Sequence, residues 1–256
     1  MSAFPPGEFV EQESFVTAGE ICLLAHRAGV VPGASVLDLC CGVAGPGRLI
    51  TRELGCTYLG VDQSAGAIDI ARERAGGLPC RFEVARIPPV PSGPFDVVLL
   101  LETMLAFRDK EALLQAISGA LRAGGRFAFT LEEGVPLTDA ERARMPDADT
   151  VWPTPLDEML VLLERAGLTV RWQDDWSQSH LAVVDSLIEA YEAHASETAE
   201  LLAAHRLWSD WLASGRVRKF ALVAEKGSTG AAPPLRAGTS SGTTAPCGAR
   251  GMPRAR

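Results

Sequence analysis

Val36-Leu37-Asp38-Leu39-Cys40-Cys41-Gly42-Val43-Ala44-Gly45-Pro46-Gly47 is an apolar run that ends on a carboxylate and passes straight into a glycine-rich turn. Twenty positions after Gly42, a second apolar run, Tyr58-Leu59-Gly60-Val61, ends in Asp62. Glycine at 42 and 45 lets a backbone come close to a ligand, and an acid at the tip of the next strand can accept hydrogen bonds from two ribose hydroxyls. The pattern predicts an adenosine-type cofactor. A dinucleotide fingerprint would need glycine where Cys40 stands, so the G-x-G-x-x-G spacing that seats a pyrophosphate is spoiled.

Working outward, strands and helices alternate. Helical spacing of Phe15, Val16, Ile21, Leu24 and Ala28 predicts a helix over 14–28, stopped by Gly29 and Pro32 before the first strand. Further helices are expected at 46–54, at 65–75 with Ser64 as N-cap, at 110–121 and at 155–166 closed by Gly167. Strands are expected at 81–85, 95–100, 127–131, 168–172 and 219–224, with a rigid proline-rich connection over 88–94. Residues 181–213 read as a mostly helical insertion. Such alternation implies a parallel sheet covered on both faces, with ligands at the carboxyl ends of its strands. Asp38, Asp62, Ala85, Glu102 and Glu132 should then surround one crevice.

Asp38, Cys40, Gly42 and Gly45 resemble the first motif of the class I S-adenosylmethionine-dependent methyltransferases, with cysteine in place of the motif's first glycine. Phe95-Asp96-Val97-Val98-Leu99-Leu100 resembles the family's fourth strand, and Leu121-Arg122-Ala123-Gly124-Gly125-Arg126-Phe127 the turn that opens its fifth. The resemblance spans residues 36–130. It implies a Rossmann-like, doubly wound, seven-stranded and mostly parallel α/β sheet of order 3-2-1-4-5-7-6, with the last strand antiparallel and helical lid elements above it. The expected organisation is an N-terminal helical arm or lid (1–33), a methyltransferase domain (34–226) roofed by the insertion, and a disordered tail (227–256).

The same resemblance implies site roles. S-adenosyl-L-methionine is the expected cofactor, with Asp38 near its ammonium, Cys40, Gly42 and Gly45 against its methionyl and ribose parts, Asp62 on the ribose hydroxyls, and Gln63 beside the adenine edge. Leu101 completes that set. Where relatives place an acid after strand three, this chain reads Glu83-Val84-Ala85-Arg86; the Ala85 amide is expected to meet adenine, and Arg86 either stacks on it or is a solvated loop residue. Methyl transfer is an in-line displacement that needs a base only when the acceptor must lose a proton. Candidates are Glu102, Glu132, Glu133, His180 and Tyr191, with Glu102 the first choice and His180, read as a residue just after strand six, the second. Met104, Phe107, Trp152, Trp176, Trp208 and Trp211 are acceptor-pocket or core residues, and Trp208 with Trp211 are expected to pack inward.

Composition narrows the function classes. The 256 residues carry a net charge of −8, and the final stretch from Gly227 holds four arginines and no acid, which leaves −12 on residues 1–226. An acidic body repels phosphate backbones, so nucleic-acid substrates are not expected. No uninterrupted apolar run reaches the ~18 residues a membrane span needs, and residues 1–10 lack a signal-peptide pattern, so a cytoplasmic protein is expected. The six cysteines show no C-x-x-C or metal-ligand spacing and read as packing residues, and His26, His194 and His205 give no case for a metal. The sequence thus predicts a methyltransferase acting as monomer or homodimer on a small molecule. The rivals are an enzyme of the same fold that performs cyclisation or decarboxylation, and a non-catalytic partner subunit.

Overall fold

The computed structural model describes residues 4–146, 148–192 and 199–227. The expected disordered tail lies, apart from Gly227, outside the described residues, as do His194 and Cys247. Seven strands form one sheet of order β3-β2-β1-β4-β5-β7-β6. They are β1 (Ser35–Leu39), β2 (Thr57–Asp62), β3 (Cys80–Val84), β4 (Phe95–Leu100), β5 (Leu121–Glu133), β6 (Leu168–Asp175) and β7 (Arg218–Lys226). The pairs among β1 to β5 are parallel, whereas β7 runs antiparallel to both β5 and β6.

The period of two along each strand divides the core between the two faces. Leu37, Leu39, Val98, Leu100, Phe127 and Phe129 form one buried layer with Leu113, Leu114 and Ile117 of α4 (Lys110–Ala120) and Met159 and Leu163 of α6 (Leu156–Arg165). Val36, Val97, Leu99, Ala128 and Val223 face the opposite way. They pack with Ile21 and Leu24 of α1 (Ala18–Arg27), Leu49 and Ile50 of α2 (Gly45–Leu54) and Ile68 of α3 (Ala65–Arg74). Full burial of each such side chain is worth about 1.5–3 kcal/mol.

The first helix starts later than its apolar spacing suggests. Thr17 and Glu20 form a reciprocal capping box, with the Glu20 amide donating to Thr17 Oγ1 at 3.2 Å and the Thr17 amide to Glu20 Oε2 at 2.9 Å, so helix begins at Ala18 rather than Ser14. The preceding residues form a strap instead. Buried Gln12 pins it, donating from Nε2 to the carbonyls of Glu8 (2.9 Å) and Val16 (3.0 Å).

Three further differences bear on the site. The fifth strand begins directly after α4 and runs to Glu133, longer at both ends than the apolar run 127–131. A short helix, α5 (Asp139–Arg144), follows it, and its Glu141 is clamped by Arg216 at 2.6 and 2.9 Å. The insertion is a hairpin of α7 (Ser177–Glu192) and α8 (Ala199–Ala213), beginning four residues earlier than position 181. No helix among the described residues is long and apolar enough to cross a membrane.

Candidate cofactor and acceptor site

At the carboxyl ends of the parallel strands lies a cavity of about 660 Å³ whose walls include Asp38, Cys40, Gly42, Asp62, Gln63, Ala85, Arg86, Leu101 and Glu102. Every cofactor candidate except Gly45 lines it. The loop that shapes it turns through left-handed backbone at Cys40 (φ 59°), Gly42 (φ 53°) and Ala44 (φ 56°). Cys40 therefore holds a conformation that glycine would adopt without strain, at a cost of about 1–2 kcal/mol.

Gly45 serves a different purpose from the expected ligand contact. A Cβ there would lie 2.1 Å from the Val10 carbonyl oxygen, so its bare Cα makes room for the chain's own strap. The strap crosses the loop and is tied down by Glu11, which pairs with Arg48 at 2.5 Å and Arg74 at 2.9 Å. Glu13 then reaches over Gly42, with Oε2 2.5 Å from where a Cβ would stand.

The two acids at the strand tips differ in their surroundings. Asp62 accepts from the Gly42 amide through Oδ2 (2.9 Å) and from the Ser64 amide through Oδ1 (2.8 Å), which fixes the carboxylate and leaves each oxygen a further lone pair. Asp38 is buried, with Oδ2 accepting from the Tyr58 hydroxyl at 2.6 Å. Desolvation pushes its carboxyl up to about 7, the Tyr58 bond pulling down and the Asp62 charge pushing further up. A cationic ligand group beside Asp38 would restore its charge. A desolvated acid at one end and a carboxylate with spare lone pairs at the other fit the ammonium and the ribose of an adenosyl amino acid.

The Ala85 amide, expected to meet adenine, instead donates to the Asp62 carbonyl at 2.9 Å, because it continues the β2–β3 ladder. Ala85 contributes wall only. Arg86 and Gln63 are exposed at the cavity rim. Cys40 is driven up to about 12 by burial and by Asp62 and Asp38, and Cys41 is raised by burial and the same acids, so neither is a ready thiolate.

A second cavity of about 230 Å³ adjoins the first, and Glu13, Ser14 and Glu102 wall both. Phe15, Leu105, Met145, Val151 and Trp208 give it apolar sides. Trp208 therefore faces a cavity, while Trp211 three residues on packs into a small core with Leu137 and Val217. Met104 and Trp176 are core residues, and Phe107 lines the first cavity. Met145 and Val151, which carry no pattern in the sequence, reach the site through the segment after β5.

The two catalytic candidates meet at the junction. Glu102 stands at φ 58°, its amide donating to Thr130 Oγ1 at 2.7 Å. Its carboxylate is held by the Lys219 ammonium and by the Phe15 amide at 3.5 Å, with His180 Nδ1 3.8 Å away. His180 lies not in a loop but in the first turn of α7, buried, with Nε2 accepting from Trp208 Nε1 at 3.2 Å. That bond puts the ring proton on Nδ1, facing Glu102. Burial and then the Lys219 charge lower the imidazole to about 3, Glu132 opposing, so the ring is neutral, and with Nε2 taken by Trp208 it has no free lone pair with which to act as the expected base.

Lys219 was invisible among the candidates because β7 reads as an ordinary strand. It is a fully buried cross-strand partner of Glu132 and bridges Glu102 and Glu132. Burial works against its charge, yet the two carboxylates outweigh this and hold its pKa above the usual lysine value.

Fold and crevice together define an α/β domain that takes an adenosyl ligand at its strand ends. Residues 36–125 match the family model described as Methyltransferase domain. Phosphoethanolamine N-methyltransferase 1 of Arabidopsis thaliana is 32% identical over 126 residues, which are 46% of this chain and 26% of that protein. Methyltransferase GfsG of Streptomyces halstedii is 26% identical over 182 residues, 66% of this chain and 65% of the relative. The solved cyclopropane synthase MmaA2 from Mycobacterium tuberculosis shares the fold at TM-score 0.72 and 16% identity, over 87% of this chain and 90% of that one. Residues 36–125 thus carry a methyltransferase domain, and the chain is similar in sequence and fold to methyltransferases that act on small molecules. It spans about a quarter of the length of the plant relative and less than two thirds of GfsG.

Proposed function

We propose that this chain transfers a methyl group from S-adenosylmethionine to a small-molecule acceptor, whose reacting end sits at the junction of the two cavities. The observation that carries this reading is the pair of adjoining cavities sharing Glu13, Ser14 and Glu102: one is walled by polar strand tips suited to the cofactor, the other has apolar sides suited to a guest.

S-adenosylmethionine supplies an electrophilic methyl carbon on a cationic sulfur. The residues of the chain bind, align and exclude water. In this reading Asp38 takes the ammonium, Asp62 the ribose hydroxyls, and Gln63 and Arg86 the adenine edge, while Cys40, Gly42, Ala85 and Leu101 shape the walls. Glu102 and His180 position the acceptor side, and the strap with the α7–α8 hairpin covers it. The acidic body keeps phosphate backbones away, and we assign the chain to cytoplasmic biosynthesis of a metabolite or natural product as a monomer or homodimer.

Incubation with isotope-labelled S-adenosylmethionine and a metabolite extract, followed by mass spectrometry, tests the reading. A product carrying the labelled methyl is expected. A product formed without the label would favour cyclisation or decarboxylation, and failure to bind S-adenosylhomocysteine in calorimetry would favour a non-catalytic subunit.

A further inference from the structure

The polar end of the second cavity holds buried polar atoms that lack partners among the described residues. The Lys219 ammonium is taken by Glu102 and Glu132 and the Trp208 indole donates to His180, while His180 Nδ1–H stands 3.8 Å from Glu102, beyond hydrogen-bond reach. Acceptor capacity remains. The Glu132 side chain is 3% exposed, Oε1 is taken by Lys219, and Oε2 has no hydrogen-bond partner among the described residues although Glu132 lines the cavity. Ser14 Oγ, in the wall shared by both cavities and able both to donate and to accept, is likewise without a partner among those residues.

A buried carboxylate oxygen without a donor is costly, so the site stabilises a ligand that brings one. The charges decide which donor. The buried carboxylates Glu102 and Glu132 are set against the ammonium groups of Lys219 and of buried Lys110, which feels Glu132 electrostatically, while His180 is neutral. At this buried end no unpaired negative charge is left to draw an ammonium into an apolar cavity; Glu13, which also walls it, is exposed and its charge is screened by solvent. A neutral hydroxyl fits.

Building on the methyltransferase reading, we propose that Glu132 receives the hydroxyl of an alcohol acceptor carried on an otherwise apolar small molecule, and takes its proton during methyl transfer. The step balances. The acceptor oxygen gains a bond to the methyl carbon, the carbon–sulfur bond of the donor breaks with its electron pair left on sulfur, and the hydroxyl proton passes to Glu132 and leaves with the product. An aprotic or anionic group would instead face unpaired carboxylate oxygen.

Calorimetry on the full chain loaded with S-adenosylhomocysteine tests this, with 1-octanol, 1-methoxyheptane, octylammonium and octanoate as probes. Binding of S-adenosylhomocysteine itself is measured first, and its failure sinks the methyltransferase reading rather than this one. The expected result is that octanol binds at least about tenfold more tightly than the ether, the ammonium or the carboxylate. Glu132→Gln, checked by circular dichroism, should erase that margin by presenting a donor of its own. An alcohol bound no better than the ether, or an ammonium bound best, overturns the proposal, and this comparison needs only the unaltered chain if the variant does not fold.

Discussion

The hydroxyl of Tyr58 donates a 2.6 Å hydrogen bond to Asp38 Oδ2 across the β1–β2 pair, and two glycines exist to allow it. A Cβ at Gly47 would stand 2.1 Å from Tyr58 Cζ, and one at Gly60 would meet Tyr58 Cε1 at 2.9 Å. The ring thus fills the space above both glycines and holds the acid at the tip of the first strand. Gly47, which looks like part of the cofactor turn, is there to seat a second-strand side chain.

Donor binding should therefore depend on the ionisation of Asp38. Its carboxyl is raised from 3.8 to about 7, so the folded chain holds a proton that the unfolded chain has lost between those values, and stability falls as pH rises from about 4 to about 7. A cationic ligand reverses that preference. Affinity for S-adenosylhomocysteine should climb with pH by up to about tenfold per unit below 7 and then level off. Tyr58→Phe should move the midpoint upward and Asp38→Asn flatten the curve; titration calorimetry between pH 5 and 7.5 reads both, and a flat wild-type profile would contradict the role.

Strand tips and the glycine turn were legible from sequence because period-two burial and left-handed turns leave local marks. Asp38, Asp62 and Leu101 all reach the cavity expected of them. What was not legible arises from distant packing. The use of Gly45 depends on Val10 arriving from the strap, the Ala85 amide is consumed by ladder bonding to Asp62, and Lys219 meets Glu132 only through an antiparallel register between residues 87 apart. His180 looked like a loop residue because polar Ser177, Gln178 and Ser179 precede it, yet burial against Trp208 and Phe15 removed it from water.

Asp62 anchors the loop as well as the ligand. Asp62→Ala removes the acceptor for the Gly42 and Ser64 amides together with the expected ribose contacts, so donor affinity should fall by about 1–3 kcal/mol. Asp62→Asn retains one acceptor oxygen and should lose less. Calorimetry with S-adenosylhomocysteine measures the difference, and an unchanged dissociation constant for the alanine variant would remove Asp62 from the site.

Thr130 holds the strained backbone at Glu102. Its Oγ1 accepts the Glu102 amide at 2.7 Å while Glu102 sits at φ 58°. Thr130→Val keeps the shape but leaves that amide without its acceptor, at about 1–3 kcal/mol. Turnover should drop while cofactor affinity holds, since Thr130 does not line the cofactor cavity, and Thr130→Ser should restore both stability and rate. Equal melting temperatures for the valine and wild-type chains would show that the bond carries nothing.

Lys219 is the cation that bridges two buried carboxylates, so its loss should be felt in stability before it is felt in catalysis. Lys219→Met preserves the aliphatic stem but leaves Glu102 and Glu132, only 9% and 3% exposed, without the cation that bridges them. Breaking a buried pair from one side typically costs about 3–5 kcal/mol. The double variant Lys219→Met with Glu102→Gln removes one of the two negative charges together with the cation, and should recover a substantial part of that loss. Glu132, whose free oxygen is the one assigned to the acceptor, stays intact in that background. Denaturant melts of the single and double variants decide the matter: if the double variant is no more stable than the single, the three side chains do not act as one electrostatic unit, and the division of labour between Glu102 and Glu132 loses its physical basis.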